Sequence, residues 1–120
     1  MKVLIKRPHA SLEVIEVSDL KEINKLTHNV DENGEGLKST GSDSRQSVFS
    51  GIDMYMNESA LFNTSLPENF WDKNGNRLYC GNVIFAGYNP ESGGAYGECS
   101  LTEEQIEHIK NNIGTYYDIR

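Results

Sequence analysis

Glu104 and His108 stand four residues apart in "TEEQIEHI", one turn of a helix, where a carboxylate and an imidazole could share a metal. The same spacing is that of an ordinary polar i,i+4 pair, and that reading is adopted. Cys80 and Cys99 are the two thiols of the chain. A nucleophilic cysteine needs a basic neighbour to lower its pKa. Cys99 follows Glu98, which acts the other way. Both cysteines therefore read as buried thiols of a reducing compartment. His9 follows Pro8 and reads as a turn residue. No pair of carboxylates has the setting of a hydrolase acid and base, and no serine has a nucleophile-elbow context. The expectation is a protein that is not an enzyme and uses no cofactor.

One stretch still raises a question of chemistry: "CGNVIFAGYNPESGGAYGECSLTEEQIEHI", from Cys80 to Ile109. It begins as a strand, crosses a loop holding Gly87, Gly93, Gly94 and Gly97, and enters a helix. A phosphate cradle aims backbone N–H groups at the anion, with a cation close by. Here no Lys-Ser/Thr follows the glycines and no strict G-x-G-x-x-G occurs. The helix opens with Glu103 and Glu104, which already complement its dipole and would repel an anion. The loop is expected to be a connector or flap. The alternative is a contact to a nucleobase or sugar through Tyr88, Asn89 or Tyr96, since aromatic faces stack on bases without charge. The cations that could handle an anion are scattered: Lys6, Arg7, Lys38, Arg45, Lys73 and Arg77. Solvated surface charge is the plain reading of each.

The totals narrow the partners. The chain has 120 residues and a net charge of −7, with 37% hydrophobic residues. That is one domain of a polar, globular kind. Its charge disfavours direct nucleic-acid binding, which needs clustered Lys and Arg. It permits binding to a basic protein surface, or nucleic-acid mimicry. Met1 to Ile5 reads as a strand rather than a targeting segment, and no apolar run is long enough to span a membrane. The expected location is the cytoplasm, with no membrane partner.

"MKVLIKR" and "LEVIEVS", joined by "PHAS", predict an N-terminal β-hairpin. A helix is expected from Ser18, with Asp19 in its first turn and Leu20, Ile23 and Leu26 as its apolar stripe; Asn29 ends it. Residues 30–46 are polar, rich in Gly and Ser, and read as a long loop. They are either a mobile loop or a segment that orders on binding. "SVFSGIDMYMN" resumes strand character. Glu58 to Leu61 allow one helical turn. Phe62, Phe70 and Trp71 are expected to cap the core, or else to form an exposed binding face. Asn74-Gly75 marks a turn between extended segments, and "LYCGNVIFAG" reads as one strand. Thr102 and Gln105 form a capping box, with Leu101 and Ile106 as the staple around it. Ile106, Ile109 and Ile113 line one side of this last helix, and Gly114 is expected to stop it. "TYYDIR" is a short tail. The fold class is α+β: one domain, an antiparallel sheet of about five strands with two helices packed on it.

The order "MKVLIKRPHASLEVIEV", helix, "GIDMYMNESALFNTSLPENF", "GNRLYCGNVIFAGYN", "GECSLTEEQIEHI" resembles a phage and mobile-element family known as domain of unknown function 3846. The shared features are the opening M-K-V-L hairpin, an "N…LP.N" segment (Asn63 to Asn69), a "GNVI" strand (Gly81 to Ile84) and the closing "SLTEEQI" helix (Ser100 to Ile106). Residues 30–46 fit that pattern least well. The resemblance implies a setting rather than a mechanism: accessory regions of phages and conjugative elements, rich in counter-defence genes. It makes a binder that counters host defence the leading expectation, with a host defence protein or a nucleotide second messenger as partner. A nucleotide sponge would use Arg45, Phe49, Tyr55, Arg77, Tyr88, Asn89 and Tyr96, at the interface of a homo-oligomer. A protein plug would set the acidic surface against a basic groove. A structural or regulatory domain of a mobile element is the alternative.

Overall fold

The structure, a computed structural model, describes residues 1–27, 43–49, 51–57, 67–72, 78–94 and 97–119. The expected N-terminal hairpin is present. β1 (Lys2–Lys6) and β2 (Glu13–Glu16) pair antiparallel, from Lys2 opposite Glu16 to Ile5 opposite Glu13. His9 is a turn residue as expected, with φ of 59°, and the Ala10 N–H donates to the Arg7 carbonyl at 3.2 Å. Val3 and Ile5 point to one face of β1, Leu4 and Lys6 to the other, and all four are buried.

α1 (Leu20–Thr27) begins two residues later than expected. Its cap is Asp19 rather than Ser18, because the Asp19 Oδ1 accepts the Glu22 N–H at 3.1 Å. The Glu22 carboxylate reaches back to the Ser18 N–H at 2.6 Å and hydroxyl at 2.9 Å. Those bonds hold Glu22 below the usual carboxylate range. Its contribution is therefore present above that range and is lost as pH falls through the depressed value. Ile23 is fully buried, with Leu20 and Leu26 beside it. At the other end the Asn82 amide donates to the Leu26 carbonyl at 2.9 Å. Asp19→Ala is expected to lower stability by about 1 kcal/mol, checked by urea unfolding, with Asp19→Asn close to the parent.

β3 (Asp43–Phe49) and β4 (Ile52–Asn57) form the next hairpin. The expected loop over 30–46 is therefore too long, since Asp43–Gln46 belong to β3. β4 presents a strong strand-forming run, and an edge strand can pair through its backbone whatever its polarity. Positions 30–42 lie outside the described residues, as do Phe62, Glu58 to Leu61 and the Asn74-Gly75 turn. β5 (Glu68–Asp72) and β6 (Leu78–Cys80), which flank that turn, pair antiparallel. "LYCGNVIFAG" is two strands rather than one. β6 ends at Cys80 and β7 (Val83–Tyr88) belongs to a different sheet. Between them Gly81 takes a φ of 74°, a left-handed geometry that favours glycine.

The main sheet runs β2-β1-β7-β4-β3, antiparallel throughout, and β8 (Glu98–Cys99) pairs with the end of β7. α2 (Glu103–Tyr116) carries the expected capping box. The Thr102 N–H donates to Gln105 Oε1 at 2.9 Å, and the Gln105 N–H to Thr102 Oγ1 at 3.1 Å. α2 passes through Gly114, where a stop was expected. A glycine inside a helix costs only about 1 kcal/mol. The tail becomes β9 (Tyr117–Ile119), which pairs with β5 to complete a small sheet, β6-β5-β9. One face of the main sheet packs Leu4, Met54 and Phe85 against Phe70 and Tyr79 of the small sheet and Ile106 and Ile109 of α2. The opposite face packs Val3, Ile5 and Ile84 against Ile23 of α1. The fold is α+β with two helices on an antiparallel sheet.

Candidate functional site

The glycine-rich turn between β7 and β8 consumes its own amides. The Glu91 and Ser92 N–H groups donate to Asn89 Oδ1 at 3.0 and 3.3 Å. The Gly93 N–H donates to the Asn89 carbonyl, Gly94 to the Glu98 carbonyl and Gly97 to the Gly94 carbonyl, all within 2.9 Å. Gly97 has a φ of 83°, and a Cβ there would lie 2.5 Å from a ring carbon of Tyr88. The tyrosine ring thus lies directly on glycine backbone. Donors already bonded inside the turn are not aimed at an anion. Over the described residues the turn is a self-bonded connector.

The seven residues expected for a nucleotide site fall in different places. Tyr55 is 3% exposed and packs with Val3, Ile5 and Ile84, so it is corrected from a stacking platform to a core residue. The two-residue strand period puts it on the α1 face, beneath the helix. Arg45 lies opposite Tyr55 in the β3–β4 ladder. Phe49 lies opposite Ile52, which lies opposite Gly87, so Phe49, Tyr88 and Asn89 share one end of the sheet. Tyr88 is 36% exposed, the feature of this group best suited to stacking. The Asn89 carbonyl oxygen is occupied by the turn. Arg77 and Tyr96 lie outside the described residues.

Lys6, one of the candidate cations, stands in an environment that the sequence did not suggest. It is 1% exposed. Its ammonium donates to the Arg7 carbonyl at 2.8 Å and to Asn69 Oδ1 at 2.9 Å, and among the described residues it meets no carboxylate. Asn69 is fully buried and donates from Nδ2 to the Lys6 and Gly81 carbonyls, both at 2.8 Å. Burial pushes the Lys6 amine below the ordinary value of 10.5. The available signal was its place in "KVLIK": Lys6 continues an apolar run whose two faces are both covered, so either face of the strand is buried. Arg7 is engaged as well, with Nη1 2.6 Å from a Glu13 oxygen. Lys38 and Lys73 lie outside the described residues.

Both thiols are free. Burial raises the pKa of each; Asp53 and Glu98 add to the rise at Cys99, and Glu68 at Cys80. The acidic neighbour expected to oppose Cys99 reactivity does so. Among the described residues no group of three or more His, Cys, Asp or Glu side chains could hold a metal ion, and no helix is long and apolar enough to cross a membrane. The first two turns of α2 present acid outward: Glu103, Glu104 and Glu107 are all exposed, with Lys110 exposed one turn further on, and Glu103 meets Lys2 at 3.2 Å. Glu91 on the turn is exposed too. No family model, curated protein or solved structure matches the chain.

Proposed function

We propose that this chain is a non-enzymatic binding protein that sets its acidic surface against a basic surface of a protein target. The observation that carries this reading is the exposed row Glu103, Glu104 and Glu107 on a helix anchored from below by Ile106 and Ile109, in a chain of net charge −7. A helix whose first two turns hold three exposed carboxylates attracts the opposite sign and speeds encounter, even with Lys110 exposed one turn further on. Taken with the resemblance to the phage and mobile-element family, the target is a host defence protein and the role is counter-defence in the host cytoplasm. Trapping a nucleotide signal has less support, because Tyr55 lies in the core and the Asn89 oxygen is bonded within its own turn. A structural or regulatory role in a mobile element would use the same surface on another target.

The test is native mass spectrometry of the protein purified gently from a bacterial host with active defence systems. The expected result is a salt-sensitive complex with a basic protein. Reversing Glu103, Glu104 and Glu107 to Lys is expected to slow association by about tenfold or more at low salt. A released nucleotide adduct with no protein partner would overturn the reading in favour of the sponge.

A further inference from the structure

The outer edge of the main sheet is unevenly prepared for a further strand, and the hydrogen-bond phase of the β1–β2 hairpin shows how. Met1 and Val17 exchange both backbone hydrogen bonds, at 2.8 and 2.9 Å. In an antiparallel ladder bonded and non-bonded pairs alternate. Ile15 and Glu13 therefore turn their N–H and C=O groups toward β1, while Val14 and Glu16 turn theirs away from it. β1 shows the complementary phase. Lys2, opposite Glu16, faces the other way and bonds outward, its N–H to Ser100 Oγ and its carbonyl from the Leu101 N–H, both at 2.9 Å. β2 is the last strand of its sheet, and among the described residues no backbone group meets its outer side. Val14, in the middle of that edge, is 41% exposed.

We infer that the β2 edge is a docking strand for an extended, basic–apolar segment of a partner protein, added antiparallel to Val14 and Glu16. This rests on the reading of the chain as a protein-binding module and names the partner's chemistry. Main-chain bonds to the two outward residues fix the register, and the side chains beside them set the preference. The inner side of β2 already shows what complements it: Lys2 stands opposite Glu16, Val3 opposite Ile15 and Leu4 opposite Val14. An incoming strand reading Lys-Val-Ile-Lys would repeat that match, with its second lysine opposite Glu13. Glu13 and Glu16 are well exposed and, among the described residues, hold only ion pairs with Arg7 and the Met1 nitrogen, which a partner cation can share. A second copy of this chain fits less well. Pairing Val14 on Val14 would set Glu16 against Leu12 and Glu13 against Ile15, and would join two chains of net charge −7.

The test is a titration of the whole protein, followed by its amide NMR signals, with a blocked peptide containing Lys-Val-Ile-Lys and a Glu-Val-Ile-Glu control. Saturable shifts centred on Val14 and Glu16, with slowed solvent exchange of those two amides, are expected for the basic peptide only. Val14→Pro removes an outward N–H that the β1 ladder does not use, and is expected to weaken binding about tenfold, as loss of one well-formed bond would. Glu16→Lys, which leaves the strand backbone alone, is expected to favour the acidic control. Shifts on the Glu103, Glu104 and Glu107 row with β2 unmoved would overturn the edge assignment and leave the protein-binding reading standing. No binding of either peptide would overturn it too, as would a concentration-dependent dimer carrying the Val14 signature without peptide.

Discussion

Asn69→Ala is expected to lower stability by about 3–5 kcal/mol near neutral pH, because a buried cation and two buried carbonyls each lose a partner, at about 1–3 kcal/mol apiece. The side chain holds three groups at once: the Lys6 ammonium and the Lys6 and Gly81 carbonyls. Its loss leaves a buried cation with, among the described residues, only the Arg7 carbonyl, and two carbonyls without their Nδ2 donor. Adding Lys6→Met to Asn69→Ala is expected to recover more than about 1 kcal/mol, because it removes the stranded charge. The pH dependence follows from the depressed Lys6 pKa. Between that value and 10.5 the unfolded chain binds more protons than the folded one. Stability therefore rises with pH through that window and is complete above it. Asn69→Ala widens the window downward, so its deficit shrinks on the alkaline side, and Lys6→Met abolishes the rise. Denaturant midpoints measured across pH read all three outcomes. A deficit that does not change with pH would sink this account of the clamp.

Phe70→Ala is the second large effect, also about 3–5 kcal/mol. Phe70 is fully buried, with its ring centroid 5.0 Å from that of Tyr79. It is the wedge by which the small sheet enters the core beside Phe85, Ile106 and Ile109. Truncation removes the apolar burial, the aromatic pair and the filler of the space between sheets. The midpoint of thermal unfolding is expected to fall by on the order of 15 °C. The transition should remain single when followed by both far- and near-ultraviolet circular dichroism, since the same cluster holds both sheets. A separate early transition would show that β6-β5-β9 melts by itself.

Local chemistry was the legible part of this sequence. The Thr102/Gln105 capping box, the His9 turn and the β1–β2 hairpin each follow from residues close in sequence, and each is present. What escaped depends on partners distant in the chain. Gly81 looks like any glycine in an apolar run until the Pro67 carbonyl accepts its N–H and Asn69 Nδ2 donates to its carbonyl. Asp43–Gln46 reads as loop because its strand character comes from β4. Gly114 reads as a stop because β5, which takes up the chain beyond it, is remote in sequence. The burial of Tyr55 was hidden for the same reason: both faces of β4 are covered, and the α1 that packs on the Tyr55 side is distant in sequence. Lys6 was singled out for its charge, but its burial depends on Asn69, 63 residues away.

The order of the main sheet bears on how the chain is made. β1 sits between β2, its neighbour in sequence, and β7, which follows on the order of 80 residues later. At the usual pace of a ribosome, β7 emerges on the order of ten seconds after β1. Through that interval the nascent N-terminal hairpin carries Val3, Leu4 and Ile5 with one side of β1 unpaired. Completion of the central sheet thus waits on the emergence of β7. Truncated products that end before Val83 would lack the strand that pairs with the open side of β1, and should be cleared rather than accumulate.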